Sequence, residues 1–164
     1  MTIFARLAAA MALCCLPALT GAQGAPVAFG QVQNDRSLPV EITSDNLSVN
    51  QADNTALFTG SVVIAQGAMR LSASRVRVIY LADQSGIETL EATGGVTLVS
   101  GTDAAEAERA DYHVATGMIE LRGDVLLVQG DNAITGDTIL VDTGAGTARA
   151  IGRVKTVLQP GNSE

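Results

Sequence analysis

Hydrophobic and polar residues alternate with a period of two along most of the chain. Phe58, Gly60, Val62 and Ile64 alternate with Thr59, Ser61 and Val63, and Leu121, Gly123, Val125 and Leu127 alternate with Arg122, Asp124 and Leu126. Side chains that switch face at every residue predict β-strands, and the plentiful Val, Ile and Thr suit them. Turn residues interrupt the pattern at Asp53-Asn54, Asp83 to Gly86, Thr116-Gly117 and Thr143 to Gly146. Beyond Ala22 no long stretch has helical spacing, so the expected class is all-β.

The strands belong to a repeat. Gly-x-Val recurs at Gly60, Gly94, Gly123 and Gly152, evenly spaced from the second to the fourth and slightly wider between the first two. At a fixed interval after the first three stand Gly67, Gly101 and Gly130, and at the same interval again stand Ser74, Glu108 and Asp137, with Asp45 in the same column. From column residue to next Gly-x-Val the distance is the same for Asp45 to Gly60, Glu108 to Gly123 and Asp137 to Gly152. It is longer only for Ser74 to Gly94, the excess lying near Asp83 to Gly86. A fixed period of this size, about 29 residues, marks stacked supersecondary units.

Alternation slips by one residue at the column. Met69, Leu71 and Ala73 share a face, then Val76, Val78 and Tyr80 do. Such a slip is the signature of a bulge or corner. The prediction is a curled sheet of stacked, bent antiparallel strands with an aliphatic lining, a jelly roll or a solenoid-like variant. The glycine column marks either the line along which the sheet curls or a line where a ligand passes close to the backbone.

The N-terminus departs from this pattern. Leu7 to Leu19 is an uncharged run behind Arg6, interrupted by Pro17 and followed by Thr20-Gly21-Ala22. A spanning helix needs about 20 apolar residues, more than this run holds. The segment 1–22 therefore reads as a cleavable secretory signal, with a short apolar anchor as the alternative. Both cysteines, Cys14 and Cys15, fall inside it. The chain from Gln23 onward would enter an oxidising compartment with no disulfide, held by packing and strand pairing alone. Residues 23–38 read as an unpatterned polar arm, 39–160 as the β-domain and 161–164 as a tail.

Composition narrows the chemistry. Ten Lys and Arg against 17 Asp and Glu give −7, which disfavours a nucleic-acid partner. The single histidine, His113, lies between Tyr112 and Val114 and points away from their face, as a solvent-facing strand residue would. Glu106, Glu108 and Asp111 form an acidic cluster without imidazole or thiolate neighbours, and Asp131 to Asp137 lacks the spacing of a calcium loop. No catalytic residue, metal site or cofactor is expected. What remains is the interior face, on which Phe58, Val62, Ile64, Met69, Leu71, Val76, Val78, Val96, Leu98, Leu121, Val125, Leu127, Ile134 and Ile139 all fall. It is either a dry core or a groove for acyl chains, at about 0.8 kcal/mol per buried methylene. The first strand, near Val40 to Val49, and the last, near Val154 to Leu158, lack neighbours within the repeat. Pro39, Pro160, Arg153 and Lys155 either protect these edges or bracket docking sites.

Three segments carry a resemblance: Pro39-Val-Glu-Ile-Thr-Ser-Asp-Asn46, Ala56-Leu-Phe-Thr-Gly-Ser-Val-Val-Ile-Ala-Gln-Gly67 and Met69-Arg-Leu-Ser-Ala-Ser-Arg-Val76. With the repeated Gly-x-Val, the chain from Pro39 to about Pro160 resembles the LptA/OstA-like family of periplasmic lipopolysaccharide-transport bridge proteins. The resemblance implies an open, twisted β-jelly roll that passes lipopolysaccharide from the inner-membrane export complex to the outer-membrane translocon. Acyl chains would lie in its interior, to which Val40, Ile42, Tyr112 and Val114 would also contribute. It further implies an LptC-like inner-membrane partner at the N-terminal edge, Val40, Glu41, Ile42 and Thr43, and an LptD-like outer-membrane partner at the C-terminal edge, Val154, Lys155, Thr156 and Val157. Head-to-tail self-association would use the same edges. The family often has basic residues near the groove mouth and a longer polar tail, from which this acidic, short-tailed chain departs. OstA-like segments also occur in LptC, which keeps its N-terminal anchor, and in LptD, which adds a large barrel. A cleaved signal and the modest chain length fit the bridge branch. A structural β-repeat protein with a dry core, or an OstA-like paralogue carrying another lipid, are the alternatives.

Overall fold

The computed structural model describes residues 37–159 and the backbone of Val27–Ala28. The expected signal sequence with its two cysteines, most of the arm and the C-terminal tail lie outside the described residues. Eleven strands follow one another: β1 (Val27–Ala28), β2 (Glu41–Thr43), β3 (Asn46–Asn50), β4 (Thr55–Gln66), β5 (Met69–Tyr80), β6 (Ile87–Ser100), β7 (Asp103–His113), β8 (Met118–Gln129), β9 (Asn132–Asp142), β10 (Thr147–Ile151) and β11 (Lys155–Val157). From β4 to β9 each strand pairs antiparallel with the next in sequence. The sheet order is β1-β10-β9-β8-β7-β6-β5-β4-β2, with β3 also on β4 and β11 also on β9. Within the arm, expected to be unpatterned, β1 pairs with β10 through Val27 and Ala148.

Each long strand bends once, at the column. Pairing of β4 with β5 breaks between Thr59 and Val62, so that Gly60-Ser61 oppose Ser74, and β6 and β8 are interrupted in the same way at Gly94-Gly95 and Gly123-Asp124. These are β-bulges, two residues against one, which kink the strand and raise its twist. Gly94 and Gly123 both have φ +85°, in the left-handed region that an L side chain enters only with strain. A Cβ on Gly94 would stand 2.9 Å from Ser74 Cβ, and one on Gly123 would stand 2.8 Å from Glu108 Cβ. Asp45 and Asp137 close on Gly60 and Gly152 likewise. Backbone bonds lock the corner, from Asp45 N to Gly60 O at 2.9 Å and from Asp137 N to Gly152 O at 3.1 Å, while Ser74 Oγ donates to Gly94 O at 2.7 Å. The glycine column is therefore the line along which the sheet curls.

The corner divides the sheet into two layers. Layer one holds β3, β10, β1 and segments 55–59, 75–80, 87–93, 109–113, 118–122 and 138–142; layer two holds β2, β11 and segments 62–66, 69–72, 96–100, 103–106, 125–129 and 132–136. Both contribute to one contiguous hydrophobic cluster, so the layers fold toward each other as a jelly roll. Gly94→Ala should lower stability by about 2–3 kcal/mol, combining left-handed strain with the Ser74 clash. Gly101→Ala, in a turn at φ +62° with open space around it, should cost only about 1 kcal/mol. Urea denaturation compares the two, and equal losses would mean that corner packing contributes nothing.

Candidate functional site

The interior gathers every side chain that the alternation and the resemblance assigned to it. Layer one supplies Val76, Val78, Tyr112, Leu121 and Ile139, and layer two supplies Val62, Ile64, Met69, Leu71, Val96, Leu98, Val125, Leu127 and Ile134, all buried. Val40, Ile42, Phe58 and Val114 are half-buried and pack against them. Leu90, Ile119 and Val141 join at 0–1% exposure without having been expected. Leu90 follows the extra residues of the β5–β6 turn, which blur the phase of the alternation there. Neighbouring interior side chains fill the space between the layers, with Leu98, Leu121 and Ile139 at 0%.

Polar groups interrupt the lining in one place. Strand register sets Gln66, Met69, Ser100, Asp103, Gln129 and Asn132 in one interior row, at the hairpin ends of layer two farthest from the corner. Gln66, Ser100 and Asp103 are buried at 2%, 6% and 1%. Tyr112 comes from the far end of layer one, and its hydroxyl donates to Gln66 Oε1 at 2.6 Å. Gln66 Nε2 donates in turn to the Leu38 carbonyl at 3.0 Å, and Gln129 Nε2 donates to Asp103 Oδ2 at 3.3 Å. The two layers are thus joined at the corner by the chain and on the opposite side by a buried hydrogen bond between residues 46 apart in sequence.

The predicted edge residues lie at the two ends of the sheet. Glu41, Ile42 and Thr43 form β2, and Lys155, Thr156 and Val157 form β11, with Val154 just before it. No described strand lies beyond β2, β3 or β11, whereas β10 is covered by β1. Apolar side chains are exposed there: Leu47 and Val49 on β3 at 57% and 61%, and Val157 and Leu158 at 47% and 69%. At the last corner Arg153 Nε donates to Asp137 Oδ1 at 2.7 Å, a bond that raises the guanidinium above its usual range.

The comparisons with known proteins agree with this architecture. Residues 41–147, from β2 to the start of β10, match the family model described as LptA/(LptD N-terminal domain) LPS transport protein. The chain belongs to this family. It is 33% identical over 141 residues to an uncharacterized protein of Rhizobium meliloti, covering 79% of this chain and 75% of that one. It is 32% identical over 140 residues to the lipopolysaccharide export system protein LptA of Haemophilus influenzae, covering 79% and 81%. The crystal structure of LptH, the LptA homologue of Pseudomonas aeruginosa, superposes with a TM-score of 0.70 at 21% identity, covering 77% of this chain and 99% of that chain. That structural match supports the jelly-roll fold.

Within the family frame, the other candidates take structural places. His113 is exposed, its Nδ1 3.2 Å from Thr89 Oγ1. The acidic cluster is divided by the corner: Glu106 and Glu108 are exposed, while Asp111 is buried on the outer face of layer one. Asp111 accepts from Arg109 at 3.0 Å and from Arg122 at 2.7 Å, and the same ladder takes in Glu120, Glu91 and Arg77. The bond to Asp111 raises the Arg109 guanidinium above its usual range. Asp131 to Asp137 is part turn and part β9, with Asn132 Oδ1 accepting from the Gln159 amide at 3.2 Å. In the β5–β6 turn the Ser85 hydroxyl and amide hold the Asp83 carboxyl below the usual carboxylate range. Among the described residues, no group of three His, Cys, Asp or Glu is arranged to hold a metal. Gln66, Ser100 and Asp103 were not singled out from sequence, though Gln66 closes the Phe-Thr-Gly segment that carries the resemblance.

Asp111→Ala should cost about 2 kcal/mol, because Arg109 and Arg122 are direct cross-strand neighbours and would face each other as unpaired like charges. Glu120→Ala, at a more exposed site, should cost about 0.5 kcal/mol or less. Urea denaturation at low and high salt separates them, and equal losses would show Asp111 to be an ordinary surface charge.

Proposed function

We propose that this protein is a periplasmic lipopolysaccharide carrier that bridges the inner-membrane export complex and the outer-membrane translocon. Acyl chains lie between the two layers while the sugars stay outside. The observation that carries the reading is the single aliphatic interior running across the whole sheet from β4 to β9 in a member of this family. The related protein of Haemophilus influenzae is a lipopolysaccharide export system protein, and LptH is the periplasmic component of a lipopolysaccharide transport device. The mechanism contains no bond-making step. Each methylene moved from water into the interior contributes about 0.8 kcal/mol, so the chains need no charged contact to be held. The unpaired outer sides of β2 and β3 take an LptC-like strand, those of β11 an LptD-like strand, and copies of the chain join end to end in the same manner. The exposed Leu47, Val49, Val157 and Leu158 supply apolar contacts beside those backbone bonds.

Native mass spectrometry with lipopolysaccharide and a phospholipid tests the reading, which expects selective, stoichiometric lipopolysaccharide adducts. A second reading, a structural β-repeat protein with a dry core, draws on the near-complete burial of the lining, and the absence of adducts from folded protein would favour it. Phe58→Asp should weaken lipopolysaccharide binding at least tenfold, because it sets a carboxylate beside the chains; Phe58 is only half-buried, so the fold should survive. Unchanged binding by the folded variant would remove the groove.

Leu47→Glu with Val49→Glu should weaken capture of the LptC-like partner at least tenfold. A surface-immobilised partner reads this directly, and undiminished capture would exclude docking along β3.

A further inference from the structure

Strands β1 and β2 follow each other in the chain but stand at opposite ends of the sheet, β1 beyond β10 and β2 beyond β4. Twelve residues separate Ala28 from Glu41. A chain of that length reaches about 40 Å at most, against about 30 Å for the strand spacings from β10 back to β4. The chain can therefore set β1 on its own β10, with little slack.

The two ends of the sheet match each other. Layer one ends in β3 and β10, 5 residues each, and layer two ends in β2 and β11, 3 residues each. Direction matches as well. Neighbouring strands alternate from β4 to β10, so β10 runs as β4 does, while β3 runs opposite to β4. A second copy following end to end in the same orientation would set its β3 antiparallel against β10, and by the same reasoning its β2 against β11. Strand β1 already holds the first of these places, since it lies beside β10 and antiparallel to it. It holds the place only in part: β1 pairs with Thr147 and Ala148, and no described strand covers Arg149, Ala150 and Ile151. On β3, Leu47 and Val49 share the inward face of Phe58 and Ala56, yet stand exposed because nothing described lies beyond that strand.

We infer that β1 is an intramolecular cap on the layer-one edge of β10, displaced by β3 of a second copy of this chain. The inference rests on the end-to-end joining proposed above. Displacement begins on Arg149 to Ile151, which β1 leaves uncovered, and proceeds to Ala148 and Thr147, so the edge is never bare. Exchanging a 2-residue strand for a 5-residue one favours the joined state, and Leu47 and Val49 add apolar burial. In the separate chain the cap shields part of β10 from nonspecific strand pairing, the usual hazard of an open edge. A capped chain must release β1 before it joins, so the cap lowers the apparent joining affinity by the uncapped fraction.

The test compares the wild-type protein with the double variant Val27→Pro, Ala28→Pro, which removes the β1 backbone donors. Sedimentation equilibrium reads self-association, and hydrogen exchange in dilute, monomeric protein reads the β10 amides. The variant should self-associate at least fivefold more tightly, and a β10 amide within Thr147–Ala148 should exchange at least tenfold faster. Adding Leu47→Glu with Val49→Glu should abolish the gain in association, and a gain that persisted would overturn displacement by β3. Unchanged association would overturn the cap while end-to-end joining stands. Weaker association would also overturn it, by placing β1 on the β10 of a neighbouring copy. Equal exchange rates would show that β1 does not cover β10 and would overturn the cap directly. If neither protein self-associates at any concentration, the displacement and the end-to-end joining both fall.

Discussion

The close approach of a polar side chain to a glycine backbone sets the shape of everything else. Where Ser74 meets Gly94 and Glu108 meets Gly123, no Cβ fits on the glycine and its φ is left-handed. The strand cannot continue straight through such a point, and because the motif recurs every second strand the bends fall into line. One line of corners turns a flat antiparallel sheet into two facing layers. Without it the aliphatic face would lie open to water over the whole width of the sheet.

That geometry makes the two sides of the jelly roll unequal. At the corner the layers are continuous chain, reinforced by Asp45 to Gly60 and Asp137 to Gly152 backbone bonds. On the other side the described link between them is noncovalent, and Tyr112 with Gln66 is part of it. The covalent side is thus fixed by the chain itself, whereas the other side is held by packing and hydrogen bonding. The salt-bridge ladder through Asp111 lies on the outer face of layer one, where it stiffens that layer without touching the interior.

Much of this was legible in the sequence because the physics is local and repeated. Gly-x-Val at a regular period gives the corner, and the phase slip from Ala73 to Val76 gives its consequence for which side chains turn inward. Many interior residues followed from those two facts, whereas Leu90, Ile119 and Val141 did not. The buried polar row did not, because Gln66 and Ser100 sit beside turns, where polar residues are expected, and only the folding of one layer over the other brings Tyr112 to Gln66. Strand β1 was likewise invisible: so short a pairing onto β10 leaves no periodicity to read. The corner between Glu106 and Asp111 likewise divides the acidic cluster, sending neighbours in sequence to different layers.

A carrier must release what it binds, and the composition of the lining bears on this. Its interior is built of Val, Ile, Leu, Met and Ala with few rings. Each acyl methylene gains about 0.8 kcal/mol wherever it lies along such a surface, so moving a chain from one strand to the next changes the free energy little. Deep aromatic pockets or buried charges would fix it in place. Headgroup discrimination, if it were spread along the lining, would add a barrier at every strand. On the proposed reading, a lining whose buried polar row is confined to the hairpin ends of layer two leaves acyl chains an aliphatic surface without preferred stops.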